Sequence, residues 1–475
     1  MTGHAGDNIW IRVRNELGLS ALIRSSRDTK ILVFQRFVRL FAYAGTTLVL
    51  ALHLAELGNS DTRIGLFMTL TLLGDILLSL FFTFTADRLG RRNVLALGAT
   101  AIITSGLIFG LVENYWVLLV GATIGVISPT ANEIGPFRAI EESIVAQLTP
   151  LSERGDIYSW YSLIGIVGQA LGTIICGWAT QLLESKRKWS SVQAYRFVFF
   201  GYAVLGLVKL GSTLALSSAC EKEENKSTRE TADSREDSPL LRDHVESQKP
   251  KAGSRLGFTV TKDSLVVLTE VCFLQSLEAI AIGLMVTSWV AFFFNEKFGI
   301  QEGHLGILFF INYLIQASAN ISAASIAKRL GLVKTMALAN LFHGATLVLI
   351  PIPQSAPVAI LFFMLKGCAN VIGLRAAFIA SMYLPEERTA FMGITNVVRT
   401  ASESLGPLVT GALAGAHLFW VAFLLSGVMM ASYGLGILVL FGNGKSREER
   451  KDQSVAGARN GENGDGRVER TIETI

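Results

Sequence analysis

Charged residues are scarce in this 475-residue sequence and unevenly distributed. They make up 17% of the chain, whereas soluble domains average about 25%. Nearly half of the 42 basic and 38 acidic residues lie in three short stretches, 1–30, 218–257 and 443–475. The rest has too little charge to cover a water-facing surface, and the mean hydropathy is +0.45. We therefore exclude a soluble globular fold and expect a chain that crosses a lipid bilayer several times.

Residue patterns typical of catalytic or metal-binding sites are also scarce. The four cysteines lie far apart, so their spacing gives neither a disulfide framework nor a zinc site. No nucleophile–base arrangement, phosphate-binding loop or cluster of metal ligands stands out, so we expect neither an enzyme nor a cofactor or metal. The net charge of +4 comes mainly from Lys and Arg beside apolar runs, which indicates membrane orientation and not nucleic-acid binding. The first 30 residues lack the apolar core of a cleavable signal peptide.

Long apolar runs recur along the chain. A bilayer core of about 30 Å needs about 20 helical residues. Twelve runs meet this requirement, near residues 31–56, 64–86, 94–112, 115–135, 157–183, 195–217, 265–294, 303–327, 333–352, 356–383, 389–416 and 418–441. Most Lys and Arg between the runs fall on one side when both termini are cytoplasmic. The sequence predicts an all-α membrane protein of twelve transmembrane helices with both termini in the cytoplasm.

The charged stretches divide the chain into five parts. We expect a cytoplasmic arm over 1–30, six-helix bundles over 31–217 and 258–442, and disordered cytoplasmic segments over 218–257 and 443–475.

The segment between the bundles contains a short motif. Glu236 precedes Leu240-Leu241 at the spacing of an acidic dileucine signal. In a eukaryotic cell such a motif is read as an address toward the vacuole or lysosome, and a chance apolar pair is the alternative. We expect the plasma membrane or the vacuolar membrane.

The two halves resemble each other. Residues 86–97 and 327–338 share six of twelve positions, and each segment lies between the second and third runs of its half. Two further matches, late in the fourth run and from the start of the fifth, fall at equivalent places. The repeat predicts two pseudo-symmetric six-helix bundles.

The segment from Ala86 to Arg92 resembles the signature loop of the major facilitator superfamily, with Thr83 and Arg92 in place of its opening Gly and final Lys. The resemblance covers the chain outside its tails and linker. It implies a monomeric secondary transporter whose two rigid bundles rock about a central site, lined mostly by spans 1, 4, 7 and 10.

The loop residues are candidates for a gate. Asp87 is suited to accept from a helix N-terminus and from arginines, in a contact that forms in one conformation and breaks in the other. Its neighbours in the gating loop are Arg88, Gly90, Arg91 and Arg92. The alternative is that the arginines serve only as cytoplasmic anchors.

Ionisable residues inside the spans are candidates for proton coupling, because they are expensive to bury in a membrane. Asp75, Glu133, Glu278 and Glu403 are the carboxyl groups of this set. Glu278 is preferred because no basic residue lies within one turn of it. The spacing of four residues also predicts ion pairs between Arg138 and Glu142 and between Arg399 and Glu403, for which structural bracing is the alternative.

Polar and aromatic residues predict the walls of a substrate cavity. The candidates are Arg138, Gln275, Trp289, Asn312, Gln316, Lys366 and Arg375. Asn312, Gln316 and Asn320 recur every four residues, so span 8 carries a polar stripe, which interhelical hydrogen bonding explains equally well.

The sequence favours a proton-coupled secondary transporter of a small polar or amphipathic organic solute. Gly168, Gly172 and Gly177 in span 5 match three of five fixed positions of an exporter motif, and close helix packing is the alternative. We expect export more than import. The alternatives are a uniporter or uptake carrier, and a non-transporting receptor-like protein with the same fold.

Overall fold

The computed structural model describes residues 19–125, 127–130, 136–150, 153–221, 262–369, 372–383 and 387–442. Within these ranges the chain forms α-helices and contains no strand. The helices are α1 (Leu19–Arg24), α2 (Arg27–Glu56), α3 (Asp61–Leu89), α4 (Arg91–Leu111), α5 (Tyr115–Gly125), α6 (Pro136–Leu148), α7 (Arg154–Arg187), α8 (Ser191–Leu214), α9 (Lys262–Leu284), α10 (Thr287–Phe298), α11 (Glu302–Leu330), α12 (Leu332–Leu349), α13 (Ala356–Gly367), α14 (Ile372–Met382), α15 (Arg388–Gly415) and α16 (Phe419–Phe441). A 3-10 turn covers Ser218–Cys220.

Several helix ends follow from local sequence. The Ser26 hydroxyl accepts from the backbone N–H of Thr29 and begins α2, and Ser190 forms a capping box with Gln193 at the start of α8. Gly90 joins α3 to α4 with a φ of 86°, and Gly331 joins α11 to α12 with a φ of 88°. Glycine adopts this region without steric cost. Both glycines belong to the repeated segment, so the two copies make the same turn.

The helices correspond to the twelve predicted spans. In the described ranges, nine helical segments are long and apolar enough to cross a membrane, and α5 and α13 are shorter apolar helices. Spans 4, 7 and 10 each consist of two helices: α5 with α6, α9 with α10, and α13 with α14. Span 4, expected near 115–135, continues beyond Pro136 as α6, which runs to Leu148. Apolarity alone missed α6, since this helix carries Arg138, Glu141 and Glu142.

The two halves pack in the same way. In the N-terminal half α2 packs on α7 and α4 on α8, and in the C-terminal half α9 packs on α15 and α12 on α16. These pairs are first with fifth and third with sixth spans in both halves. The fold is therefore two pseudo-symmetric six-helix bundles, as the repeat predicted.

The halves meet closely at one end. We call the end with Gly90 and Gly331 the linker face, and the end with the α7–α8 and α10–α11 connections the opposite face. Near the opposite face α7 packs on α11 and α3 on α15. A Cβ at Gly306 would lie 2.6 Å from the Thr173 carbonyl oxygen, and one at Gly411 would lie 2.5 Å from that of Asp61. Glycine therefore permits both contacts.

Hydrogen bonds add to this closure. The buried Tyr195 hydroxyl of α8 donates to Glu302 Oε1 of α11 at 2.8 Å. The Ser288 hydroxyl of α10 donates to the Thr47 carbonyl oxygen of α2 at 2.7 Å. The two halves are thus sealed together near the opposite face.

Candidate functional site

A cavity of about 590 Å³ lies between the halves. Its walls come from α2, α6 and α7 on one side and from α9 to α16 on the other, with the largest share from the C-terminal half. Arg138 and Met336, which line it, lie on helices that reach the linker face. The cavity therefore occupies a central position between the two halves.

Two ion pairs stand on the C-terminal wall. Arg375 Nη1 lies 3.0 Å from Glu278 Oε1, and Arg399 Nη1 lies 3.2 Å from Glu403 Oε2. All four side chains line the cavity. Glu278 Oε2 and Glu403 Oε1 are buried and have no hydrogen-bond partner within the described chain. Each carboxylate is therefore only half satisfied within the described chain.

The pairing of Glu278 was not visible in the sequence. No basic residue of its own helix lies within one turn, and Arg375 reaches it from α14, 97 residues along the chain. The pair between Arg399 and Glu403, which the spacing predicted, is confirmed.

Amide side chains and one lysine continue this wall. Asn312 Nδ2 donates to the Phe363 carbonyl oxygen at 3.0 Å, and Gln316 Nε2 donates to Asn312 Oδ1. A Cβ at Gly367 would lie 2.8 Å from Asn312 Nδ2, so a glycine here lets the amide approach α13. Lys366 also lines the cavity, with its Nζ 5.3 Å from the Phe363 ring centroid. The predicted stripe thus serves both interhelical bonding and the cavity surface.

The N-terminal wall is also basic. The Arg36 guanidinium lies over the Tyr161 ring, 4.1 Å from its centroid. Arg138 lines the cavity and pairs with Glu142 at 2.7 Å, which confirms the pair expected from their spacing. Both members of that pair are partly exposed to solvent.

Sequence reasoning missed a buried charge network directly behind this wall. Arg39 makes two 2.8 Å bonds to the Glu141 carboxylate, and Lys209 Nζ lies 3.0 Å from Glu141 Oε1. The Tyr161 hydroxyl donates to Glu141 Oε2 at 2.6 Å. These residues come from α2, α6, α7 and α8. The available signal was the presence of Arg39 and Lys209 inside apolar runs.

Three predicted site residues lie away from the cavity. Trp289 is fully buried against Phe419 and donates from Nε1 to the Pro407 carbonyl oxygen at 3.2 Å. Gln275 is buried and donates to the Tyr433 hydroxyl at 3.0 Å. Asp75 is buried within the N-terminal half, and neither carboxyl oxygen has a hydrogen-bond partner in the described ranges. None of the three belongs to the described cavity lining, because their helices turn them into helix–helix interfaces, and the roles expected of them in substrate binding and proton coupling stay predictions.

The gating loop is held by a residue that the sequence did not suggest. The Glu221 carboxylate accepts from the backbone N–H groups of Arg91 at 2.8 Å and Arg92 at 3.2 Å. It therefore caps the N-terminus of α4, where Gly90 has no side chain to do so. Gln147 accepts from Arg91 and donates to the Glu221 carbonyl oxygen. The start of the linker is thus bound to the loop.

Other predicted positions lie outside the described residues. Glu133 and the dileucine residues Glu236, Leu240 and Leu241 fall in undescribed segments. Asp87 and Arg88 belong to the last turns of α3, but their side chains are not described. The gating role of this pair stays a prediction.

The glycines of span 5 have a packing explanation. A Cβ at Gly172 would lie 2.2 Å from the Phe41 carbonyl oxygen, and one at Gly168 would lie 2.7 Å from that of Phe37. Gly177 lies against the Glu302 backbone in the same way. These residues allow α7 to contact α2 and α11 closely.

Comparison with known proteins agrees with this architecture. The family model described as Major Facilitator Superfamily matches residues 32–265 and 271–465. The chain is 34% identical over 431 residues to "Uncharacterized membrane protein YJR124C" of Saccharomyces cerevisiae, covering 88% of this chain and 94% of that one.

A second relative is more distant. "Efflux pump radE" of Floropilus chiversii is 24% identical over 184 residues, covering 37% of this chain and 31% of that one.

Among solved structures, a D-xylose-proton symporter aligns with a TM-score of 0.63 at 14% identity, covering 86% of this chain and 96% of that one. The likeness at this identity shows the fold. Together with the family model, the repeated bundles and the cavity between them, it shows that the chain belongs to the major facilitator superfamily and is a membrane transporter rather than an enzyme.

Proposed function

We propose that this protein is a secondary active transporter that moves a small polar or amphipathic organic solute by alternating access and couples the movement to protons. The observation that carries the proposal is the Glu278–Arg375 pair on the wall of the central cavity. It places a half-satisfied carboxylate and a cation where a solute would bind.

The pair suggests how coupling works. Protonation of Glu278 at its unpartnered Oε2 removes the negative charge and releases the Arg375 guanidinium toward the cavity. Proton binding then changes the electrostatics of the site, and solute binding responds to it by linkage. Glu403 repeats the arrangement with Arg399 and is the second coupling candidate. Asp75 is not favoured, because it lies away from the cavity.

The experiment tests Glu278→Gln in proteoliposomes with an imposed proton gradient. The solute comes from a thermal-shift screen of the purified protein at mildly acidic and mildly alkaline pH. We expect the variant to lose gradient-driven accumulation while keeping exchange of solute across the membrane. Glu270→Gln is the matched control, because Glu270 lies on the same helix α9, about two turns away and outside the cavity lining. Accumulation that remains pH-dependent in Glu278→Gln would remove this residue from coupling.

Orientation and direction belong to the same proposal. With the linker face in the cytoplasm, the sealed opposite face makes this an inward-facing state, and both termini are cytoplasmic. The partial exporter motif and the resemblance to an efflux pump support export. Solute efflux from loaded proteoliposomes on acidifying the opposite-face side tests the direction. Deleting residues 225–250 tests the receptor-like alternative, because a carrier keeps turnover without its linker.

A further inference from the structure

The charges around the cavity are unbalanced. Its described lining contains five cationic side chains, Arg36, Arg138, Lys366, Arg375 and Arg399, and two carboxylates, Glu278 and Glu403. Counting Glu142, which pairs with Arg138 from just outside the lining, the described residues of this site carry five positive and three negative side chains. A low-dielectric cleft with one sign of charge concentrates ligands of the other sign.

Lys366 is the centre of this excess on the C-terminal wall. Arg375 and Arg399 are each bound to a carboxylate of the same wall. No ion pair or hydrogen bond of the Lys366 ammonium occurs within the described part of the chain. The ammonium lies instead beside the Phe363 ring, in a helix whose remaining residues are apolar. A cation placed in a membrane span without a partner is costly, and a bound anion removes that cost.

The surroundings of Lys366 suit a charged and partly apolar ligand. Asn312 and Gln316 form an ordered polar row next to it on α11. Phe309, Leu347 and Phe363 supply apolar surface in the same wall. The end of α13 offers Lys366 a favourable dipole, yet its Nζ forms no bond with the last carbonyl groups in the described chain. The ammonium is therefore left facing the cavity.

We infer that the solute is a small organic anion, whose carboxylate or phosphate group binds Lys366 between the amide row of α11 and the aromatic surface of α13. The inference rests on the proposed transport function and specifies its substrate class. Arg36, on the facing wall, supplies positive charge from the other half. An anion held between the walls therefore contacts both bundles.

The test uses matched probes that differ only in charge. Glutarate, glutaramide and 1,5-diaminopentane share a five-carbon chain, and benzoate, benzamide and benzylamine share a ring. Each is added at the same millimolar concentration and ionic strength to the purified full-length protein in nanodiscs, and the unfolding temperature is recorded. We expect the anion of at least one series to stabilise the protein more than its neutral and cationic analogues.

Variants then locate the site. Lys366→Gln should weaken anion binding by about 10-fold to 100-fold, the range of one charge-assisted hydrogen bond. Lys366→Arg should retain most of the effect because it keeps the charge. Lys334→Gln, an exposed lysine of the same half, is the control and should leave binding unchanged.

Three results would overturn the inference: greater stabilisation by the amines or amides, an anion effect that persists in Lys366→Gln, or no anion effect in a folded protein. Flux in proteoliposomes separates this inference from the transport proposal. Anion binding at Lys366 without flux keeps the ligand class and contradicts transport. Flux of an amine without anion binding would support transport and contradict an organic anion as the substrate.

Discussion

Glu141 holds the charges in the interior of the N-terminal half, and its replacement by Gln should destabilise the protein strongly. Its side chain is fully buried, and those of Arg39 and Lys209 are 1% exposed. Glu141→Gln keeps the shape and one acceptor but removes the negative charge that both cations contact. Two positive charges then remain buried without it.

The magnitude follows from the geometry. Removing one partner from a buried ion pair costs about 3–5 kcal/mol, because the other charge stays desolvated. Here one carboxylate binds two cations at 2.8 and 3.0 Å, so the upper part of this range is expected. Each kcal/mol shifts the unfolding temperature of a domain of about 200 residues by about 2–4 °C. For about 4–5 kcal/mol the expected decrease is therefore about 8–20 °C.

The adjacent residue provides a matched control. Glu142 pairs with Arg138 at 2.7 Å, but their side chains are 31% and 50% exposed. Glu142→Gln should change stability by less than about 1 kcal/mol, because solvent screens such a pair. Both variants are compared by thermal unfolding in the same detergent at one scan rate, since unfolding of such proteins is commonly irreversible.

A double variant checks the assigned cause. Adding Lys209→Met to Glu141→Gln removes one of the stranded cations and should restore at least about 1 kcal/mol, as contacting residues are not additive. If Glu141→Gln unfolds at the same temperature as Glu142→Gln, or if Lys209→Met only adds to the damage, the carboxylate does not balance these charges and the reasoning is refuted.

Two further predictions concern the sealed face and the anchored linker. Gly306→Ala should push α11 away from the Thr173 carbonyl oxygen and lengthen the distance between spin labels on the α7–α8 and α12–α13 connections. Gly201→Ala is the control, because the space around Gly201 is open and the distance should not change. Equal distances in both variants would contradict the packing argument. Burial, followed by the neighbouring Asp28 carboxylate, raises the pKa of the Cys220 thiol to about 12, so the reactive thiolate is scarce at neutral pH and maleimide should label Cys220 only slowly. Asp28→Ala, which removes the acceptor of the Ser217 backbone and hydroxyl groups, should accelerate labelling, and fast labelling of the unmodified protein would show that the linker is not anchored.

The sequence was sufficient for the fold because the constraint of the bilayer is strong. Apolar length identified the spans, and the repeated segment around Gly90 and Gly331 identified the two halves, whose turns have the same φ. The criterion of apolar length failed at α6. This helix carries the charged residue Glu141, which Arg39 and Lys209 of other helices neutralise. Mean hydropathy averages over a segment, so every charged residue lowers the score of a span. Glu141 is nevertheless buried in such a segment, because a local network of ion pairs and hydrogen bonds satisfies its carboxylate.

The candidate site was predictable only where contacts are local. Helical spacing gave Arg399 with Glu403, since residues four apart share a face. It did not predict the pair of Glu278 and Arg375, because these two residues lie on different spans. It also placed Trp289 in the cavity, because spacing along one helix does not say which neighbour each face meets. The rotation of each helix is decided by packing, which the sequence of that helix alone does not contain.

The two halves use their buried charges differently, and this difference explains why the substrate inference falls on the C-terminal wall. In the N-terminal half, Glu141 is satisfied by three side chains, so the network acts as a brace. In the C-terminal half, Glu278 and Glu403 each keep an unpartnered oxygen, and both line the cavity. A fully satisfied network gains nothing from a ligand, whereas an unpartnered carboxylate oxygen gains from a proton or a hydrogen-bond donor, and the Lys366 ammonium on the same wall gains from an anion. The two bundles are similar, but the C-terminal half places its incompletely paired carboxylates on the cavity wall, where a bound solute can contact them.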